Sequence, residues 1–162
     1  YKAKEFDIEI PLLQSILSAN RVHIQRTLDL VCGYGRKKVG VIGLSFKPGT
    51  DDLRESPMVT LVETLIGKGY PLRIFDRNIS LARLTGSNKM FIENEIPHIS
   101  SILVDDLPAM LDWAELIIAG TGEGAAELLT LIKPEQVVID LARVFDPQKG
   151  PVCPAEYHGV CW

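Results

Sequence analysis

The stretch that decides the fold is Lys37-Lys38-Val39-Gly40-Val41-Ile42-Gly43-Leu44-Ser45-Phe46-Lys47-Pro48-Gly49-Thr50-Asp51-Asp52-Leu53-Arg54-Glu55-Ser56-Pro57. It opens as a short apolar run rich in β-branched residues, the pattern of a buried strand. It then becomes a polar loop with five charges, Lys47, Asp51, Asp52, Arg54 and Glu55. Ser56-Pro57 supplies an N-cap followed by proline at the first helical position, where a missing N–H costs nothing. The reading is strand, loop, helix, with the loop at the carboxyl end of the strand, the edge where open α/β sheets bind ligands. A loop too long for a tight turn, carrying Lys47 and Arg54, reads as an anion-recognition loop.

Working outward, strands and helices alternate. Upstream, Ile8, Leu12, Leu13, Ile16, Leu17, Ile24, Leu28 and Val31 fall at helical spacing, and Gly33 and Gly35 end the run. This long helix precedes the first strand. It reads either as a helix lying across the domain or as a connecting and dimerisation helix, the reading preferred here. Downstream, a helix begins at Ser56 or Pro57 and stops at Gly69, and a strand at Leu72–Phe75 ends at Asp76. A helical segment is expected around residues 79–84, a short strand at residues 99–104 and a short helix at 106–112, with Pro108 in its first turn. Leu116–Ala119 reads as a strand closed by Gly120-Thr121-Gly122, residues 125–132 as a helix, and Val137–Ile139 as a strand ending at Asp140. Pro147, Pro151 and Pro154 make the tail loop-rich. Continuous apolar strands alternating with helices predict an α/β, Rossmann-like doubly wound parallel sheet, preceded by the long N-terminal helix. The expected division is residues 1–35 for helix and linker, and 36–162 for the domain.

Composition bounds the function. The 162 residues are 46% hydrophobic and 23% charged, as in an ordinary globular chain. A net charge of -4 without a basic run argues against nucleic acid as a partner. The charge is uneven: residues 1–90 hold 14 Lys and Arg against 9 Asp and Glu, residues 91–162 hold 3 against 12. The positive excess shares its half with the opening loop, which suits a phosphorylated ligand. Cys32, Cys153 and Cys161 form neither a disulfide framework nor a zinc spacing, so a cytoplasmic location is expected, with no membrane span and no metal. The chain starts in mid-pattern without methionine, so it is expected to be part of something longer.

A dinucleotide fingerprint needs G-x-G-x-x-G so that backbone can approach a pyrophosphate. Here the glycines fall as Gly40-x-x-Gly43, and bulky Phe46 and Lys47 stand where small residues are required. NAD binding of the usual kind is not expected, and Asp76 reads as a strand-end cap ahead of a ribose ligand. Phe46 has the shape to pack beside a base or sugar. Arg54 has two open readings: phosphate contact, or pairing with Asp51, Asp52 or Glu55. Arg143 follows the strand ending at Asp140, so it belongs to the same sheet edge, with a salt bridge to Asp140 or Asp146 as its alternative. No Ser/His/Asp set and no cysteine with a base is legible.

Residues 40–57 as a block closely resemble the signature that opens the C-terminal domain of the nucleotide-sugar 6-dehydrogenases, the family of UDP-glucose and GDP-mannose dehydrogenases. The resemblance extends to residues 8–31 as the end of the family's central helix, to Gly67-Lys68-Gly69-Tyr70, to Ile74-Phe75-Asp76 and to Asp140-Leu141-Ala142-Arg143. His98-Ile99-Ser100-Ser101 and Gly159-Val160-Cys161-Trp162 resemble the GDP-mannose branch, with the UDP-glucose branch as alternative. The resemblance implies a four-electron oxidation of a sugar alcohol to the acid with two NAD+. It runs through a thiohemiacetal and a thioester on a cysteine that lies, with its assisting lysine and the NAD-binding loop, in N-terminal and central parts outside this chain. None of the three cysteines here lies in the nucleophile motif, so the chain alone is expected to be inactive and to hold no catalytic residue. By position, Phe46 and Lys47 match residues touching the nucleotide sugar. Arg54 matches one reaching the NAD on the other domain, and Arg143 a substrate contact of the UDP-glucose enzymes. The implied partners are a nucleotide sugar, the enzyme's own N-terminal domain and further copies joined through the central helix. A free-standing Rossmann-like binding module that has lost its catalytic partner is the second class of reading.

Overall fold

The computed structural model describes residues 10–45, 49, 52–79, 97, 99–122, 125–145 and 152–160. In chain order they form α1 (Pro11–Gly33), β1 (Val39–Ile42), α2 (Pro57–Gly67), β2 (Leu72–Phe75), α3 (Ile99–Ile102), α4 (Leu107–Trp113), β3 (Leu116–Ala119), α5 (Ala125–Leu131), β4 (Val137–Asp140) and β5 (Glu156–Gly159). The five strands make one parallel sheet in the order β2-β1-β3-β4-β5. The α/β, Rossmann-like sheet preceded by a long helix is thus present as the strand pattern predicts.

Period-two alternation sorts the strand residues onto two faces. Val39, Val41, Ile74, Leu116, Ile118 and Ile139 join one core with Leu28 and Val31 of α1 and Leu61, Val62 and Leu65 of α2. Ile42, Phe75, Ile117, Ala119 and Val138 join a second core with Leu107, Met110 and Leu111 of α4 and Leu128 of α5. β1, β3 and β4 are buried at every position, which explains their uninterrupted apolar sequences.

Local signals set the helix ends. Ser56 Oγ accepts from Met58 N, and Pro57 opens α2. Gly69, at φ +76, closes it: its N–H donates to Ile66 O and that of Tyr70 to Leu65 O, the paired bonds of a Schellman motif. Asp106 Oδ1 accepts from Ala109 N at 2.9 Å and caps α4, with Pro108 in the first turn. The last turns of α1 pack on the sheet, whereas Ile16 and Val22 are half-exposed. Just beyond α1, Tyr34 Oη donates to Glu156 Oε1 and lies 2.6 Å from His158 Nε2, joining the end of the helix to β5.

Two expectations are corrected. Residues 99–104 are not a strand: Ile99–Ile102 form a single helical turn, and only Leu103 makes an isolated parallel bridge, to Ile74. The apolar run was too short for periodicity to separate the two states. The proline-rich tail contains β5, an edge strand whose partly exposed Glu-Tyr-His-Gly gives no apolar signal. The helix expected around residues 79–84 lies outside the described residues beyond Ile79.

Candidate functional site

The chain runs from β1 to β2 on one side and later places β3 on the other side of β1. The carboxyl ends of β1 and β3 therefore flank a topological switch point, the crevice that takes ligands in open α/β sheets. The loop leaving β1 is fastened at both ends. Leu44 N and Ser45 N donate to Asp76 Oδ2 at 2.8 and 3.1 Å. Asn78 N and Ile79 N donate to the other carboxylate oxygen. Ser56 Oγ donates to Leu44 O at 2.8 Å, tying the far end of the loop to its start. Leu53, near the end of the same loop, is wholly buried. Around these anchors Arg54 stays exposed and makes a bidentate pair with Asp52, Nε–Oδ1 and Nη2–Oδ2 both 2.9 Å. Glu55 beside it sits at φ +59, the left-handed region.

The loop leaving β4 is built the same way from one carboxylate. Asp140, fully buried, accepts from Ala142 N at 2.9 Å, Phe145 N at 3.0 Å and Tyr157 Oη at 2.9 Å. Burial and then Asp140 push the Tyr157 phenol well above its ordinary range, and the Arg143 guanidinium pulls weakly the other way. Arg143 is exposed with φ +54. One strand lies between β1 and β4, so the two loops are separated by roughly 10 Å.

Between them a cavity of about 400 Å³ is lined by Asn20, His23, Ile24 and Thr27 of α1, by Ser45 and Ser56–Met58, and by Leu61, Gly120 and Leu141. The long helix thus forms one wall of the space at the sheet edge. Cys153 lies apart from it, its thiol pushed up chiefly by burial, toward the less nucleophilic neutral form. Among the described residues no three His, Cys, Asp or Glu side chains gather as metal ligands, and no helix is long and apolar enough to cross a membrane.

A Cβ on Gly43 would come within 2.3 Å of Thr121 Oγ1, so a threonine side chain fills the space beside the turn that leaves β1. The Asp76 carboxylate, where a ribose would be held, receives four backbone N–H groups.

Residues 40–147 match the "UDP-glucose/GDP-mannose dehydrogenase family, UDP binding domain". The chain belongs to the UDP-glucose/GDP-mannose dehydrogenase family. Its whole length is 44% identical to GDP-mannose 6-dehydrogenase of Pseudomonas aeruginosa, of which it covers 36%. Over 94% of its length it is 22% identical to the UDP-glucose 6-dehydrogenase of Rickettsia conorii. Among solved structures, a ternary complex of GDP-mannose dehydrogenase from P. aeruginosa superimposes with a TM-score of 0.81 at 44% identity, over 100% of this chain and 36% of that one. A UDP-glucose dehydrogenase from Pyrobaculum islandicum gives 0.72 at 25% identity, over 99% and 34%. The chain thus spans about a third of the dehydrogenases that it matches.

Within this family domain, Arg54 and Arg143 occupy the same sheet edge on different loops. Phe46 and Lys47 fall outside the described residues, as do His98 and Cys161. What the sequence reading missed is Thr121, although its place between Gly120 and Gly122 at a strand end was visible. It also missed the wall formed by α1.

Proposed function

We propose that this chain is the nucleotide-sugar-binding part of an NAD-dependent GDP-mannose 6-dehydrogenase. Residues 1–35 are the end of its central helix and linker, and 36–162 the binding domain. The reaction takes the sugar C6 primary alcohol of GDP-mannose to the carboxylate of GDP-mannuronate, an alginate precursor. Two hydrides leave C6 and one water oxygen is incorporated, and two NAD+ supply the acceptors. The observation that carries this reading is the 44% identity to GDP-mannose 6-dehydrogenases along the entire chain.

This chain's own part is to hold and orient the nucleotide sugar. Phe46 packs against its base or sugar, while Lys47 as a point charge and Arg143 as a planar fork meet its phosphates. Arg54 extends toward the NAD carried by the enzyme's other domain. Asp76, engaged by four backbone N–H groups, supports a cofactor held outside this crevice. We place the enzyme in the cytoplasm and infer copies joined through α1, where Ile16 and Val22 are half-exposed.

The test is turnover by the full-length enzyme of GDP-mannose and of UDP-glucose, followed through NADH. GDP-mannose is expected to be the better substrate. Equal or faster turnover of UDP-glucose reassigns the domain to the UDP-glucose branch, and no turnover of either supports a non-catalytic binding module. Lys47→Ala is expected to weaken nucleotide-sugar binding by about tenfold to a hundredfold, the loss of one charge-assisted contact.

A further inference from the structure

At the switch point the polar groups are nearly all engaged. Ser56 Oγ holds Leu44 O and Met58 N, and Asp76 and Asp140 hold backbone N–H groups of their loops. Thr121 Oγ1 is the exception. Among the described residues it is the one buried side-chain oxygen or nitrogen without a hydrogen-bond partner, on a residue only 5% exposed. Its side chain rests against Gly43, whose φ of +81 and missing Cβ leave room for it. The preceding residue, Gly120, lines the 400 Å³ cavity.

An unpaired buried hydroxyl is a cost that packing alone does not require, since valine has nearly the same shape and no such group. We propose that Thr121 is a further binding residue of this site, its hydroxyl turning from Gly43 to donate to a phosphate oxygen of the nucleotide sugar. This rests on the nucleotide-sugar reading above. Rotation about one side-chain torsion redirects the hydroxyl without moving β3, and the anionic oxygen supplies the acceptor that the protein does not.

The experiment compares Thr121→Val and Thr121→Ser in the full-length enzyme, measuring GDP-mannose affinity, the separation of KM from kcat, and the melting temperature without nucleotide sugar. Thr121→Val is expected to bind about tenfold more weakly through KM, with a melting temperature equal to or above the parent's. Thr121→Ser, which keeps the hydroxyl, stays within about threefold of the parent in affinity, on the same scale. Parent-like affinity in Thr121→Val overturns the proposal, as does a loss of affinity that comes with a lowered melting temperature and is not rescued by serine. If Thr121→Val does not fold, Thr121→Ala, which lacks the hydroxyl but adds no bulk, must show the same weakening. A parent enzyme that binds neither GDP-mannose nor UDP-glucose sinks the functional reading itself. A binding parent with an unaffected valine variant sinks only the role of Thr121.

Discussion

The loops leaving β1 and β4 solve one problem in two ways. Each must hold an arginine at the sheet edge without burying its charge, and each is fastened by an aspartate at a strand end. The β1 loop borrows its anchor from the neighbouring strand: Asp76, after β2, receives N–H groups from both Leu44-Ser45 and Asn78-Ile79. The β4 loop uses its own strand-end Asp140, with Tyr157 of β5 as the lateral tie. The difference teaches that these carboxylates are construction, spent on the backbone N–H groups that shape the loops.

Removing the anchors separates the loops most sharply. Asp76→Ala leaves four backbone donors without their carboxylate and connects two strands no longer. The expected cost is about 3 kcal/mol, or a fall of roughly 6–12 °C in melting temperature, read by calorimetry. Asp140→Ala breaks three bonds, two to its own loop and one to Tyr157 of β5, and is expected to cost about 2 kcal/mol. If Asp140 proved the costlier, the borrowed anchor would not be the stronger design.

The rim residues should behave oppositely, with function lost and stability little changed. Arg143→Gly relieves a left-handed non-glycine residue and is expected to raise stability by roughly 0.5–1 kcal/mol while weakening nucleotide-sugar binding. A destabilised variant would make Arg143 a structural residue. Arg54→Ala removes an exposed pair with Asp52 and should change stability by less than about 1 kcal/mol. Its effect is expected in the NAD dependence of the rate, and unaltered NAD kinetics would remove it from the site.

The smallest effect concerns the tie between α1 and β5. The hydrogen bond to Glu156, with burial, holds the Tyr34 phenol up at about 12 against an ordinary 10.0. The fold keeps that proton at a pH where the unfolded chain has lost it. The contribution is therefore complete below pH 10 and disappears as pH rises toward 12. Tyr34→Phe is expected to flatten the alkaline decline of melting temperature, while Tyr157, also raised, leaves a residual slope.

Much of this was legible in the residues because buried parallel strands write themselves as unbroken apolar runs, as at Val39–Ile42 and Leu116–Ala119. Helix ends were equally plain at Ser56-Pro57 and Gly69. β5 was not, since an edge strand has one face in solvent and its residues Glu156, Tyr157 and His158 earn their place through contacts far away in sequence. Asp76 and Arg54 show the same limit at the site: spacing placed both at the correct edge, but only the fold shows four N–H groups on one and the Asp52 fork on the other. Thr121 could be placed at a strand end, but its weight was not legible, because it depends on Gly43 at the end of another strand.

The docking of α1 has a mechanical consequence. Twenty-three residues at 1.5 Å each make a rod of about 35 Å. It is clamped near one end by Leu28, Val31 and the Tyr34 tie, and half-exposed at Ile16 and Val22. A tilt of about 5° at the clamp moves the far end by roughly 3 Å, by simple geometry on that length. A few side chains between α1 and the sheet therefore act as the fulcrum of a lever, setting the aim of whatever α1 touches at its far end.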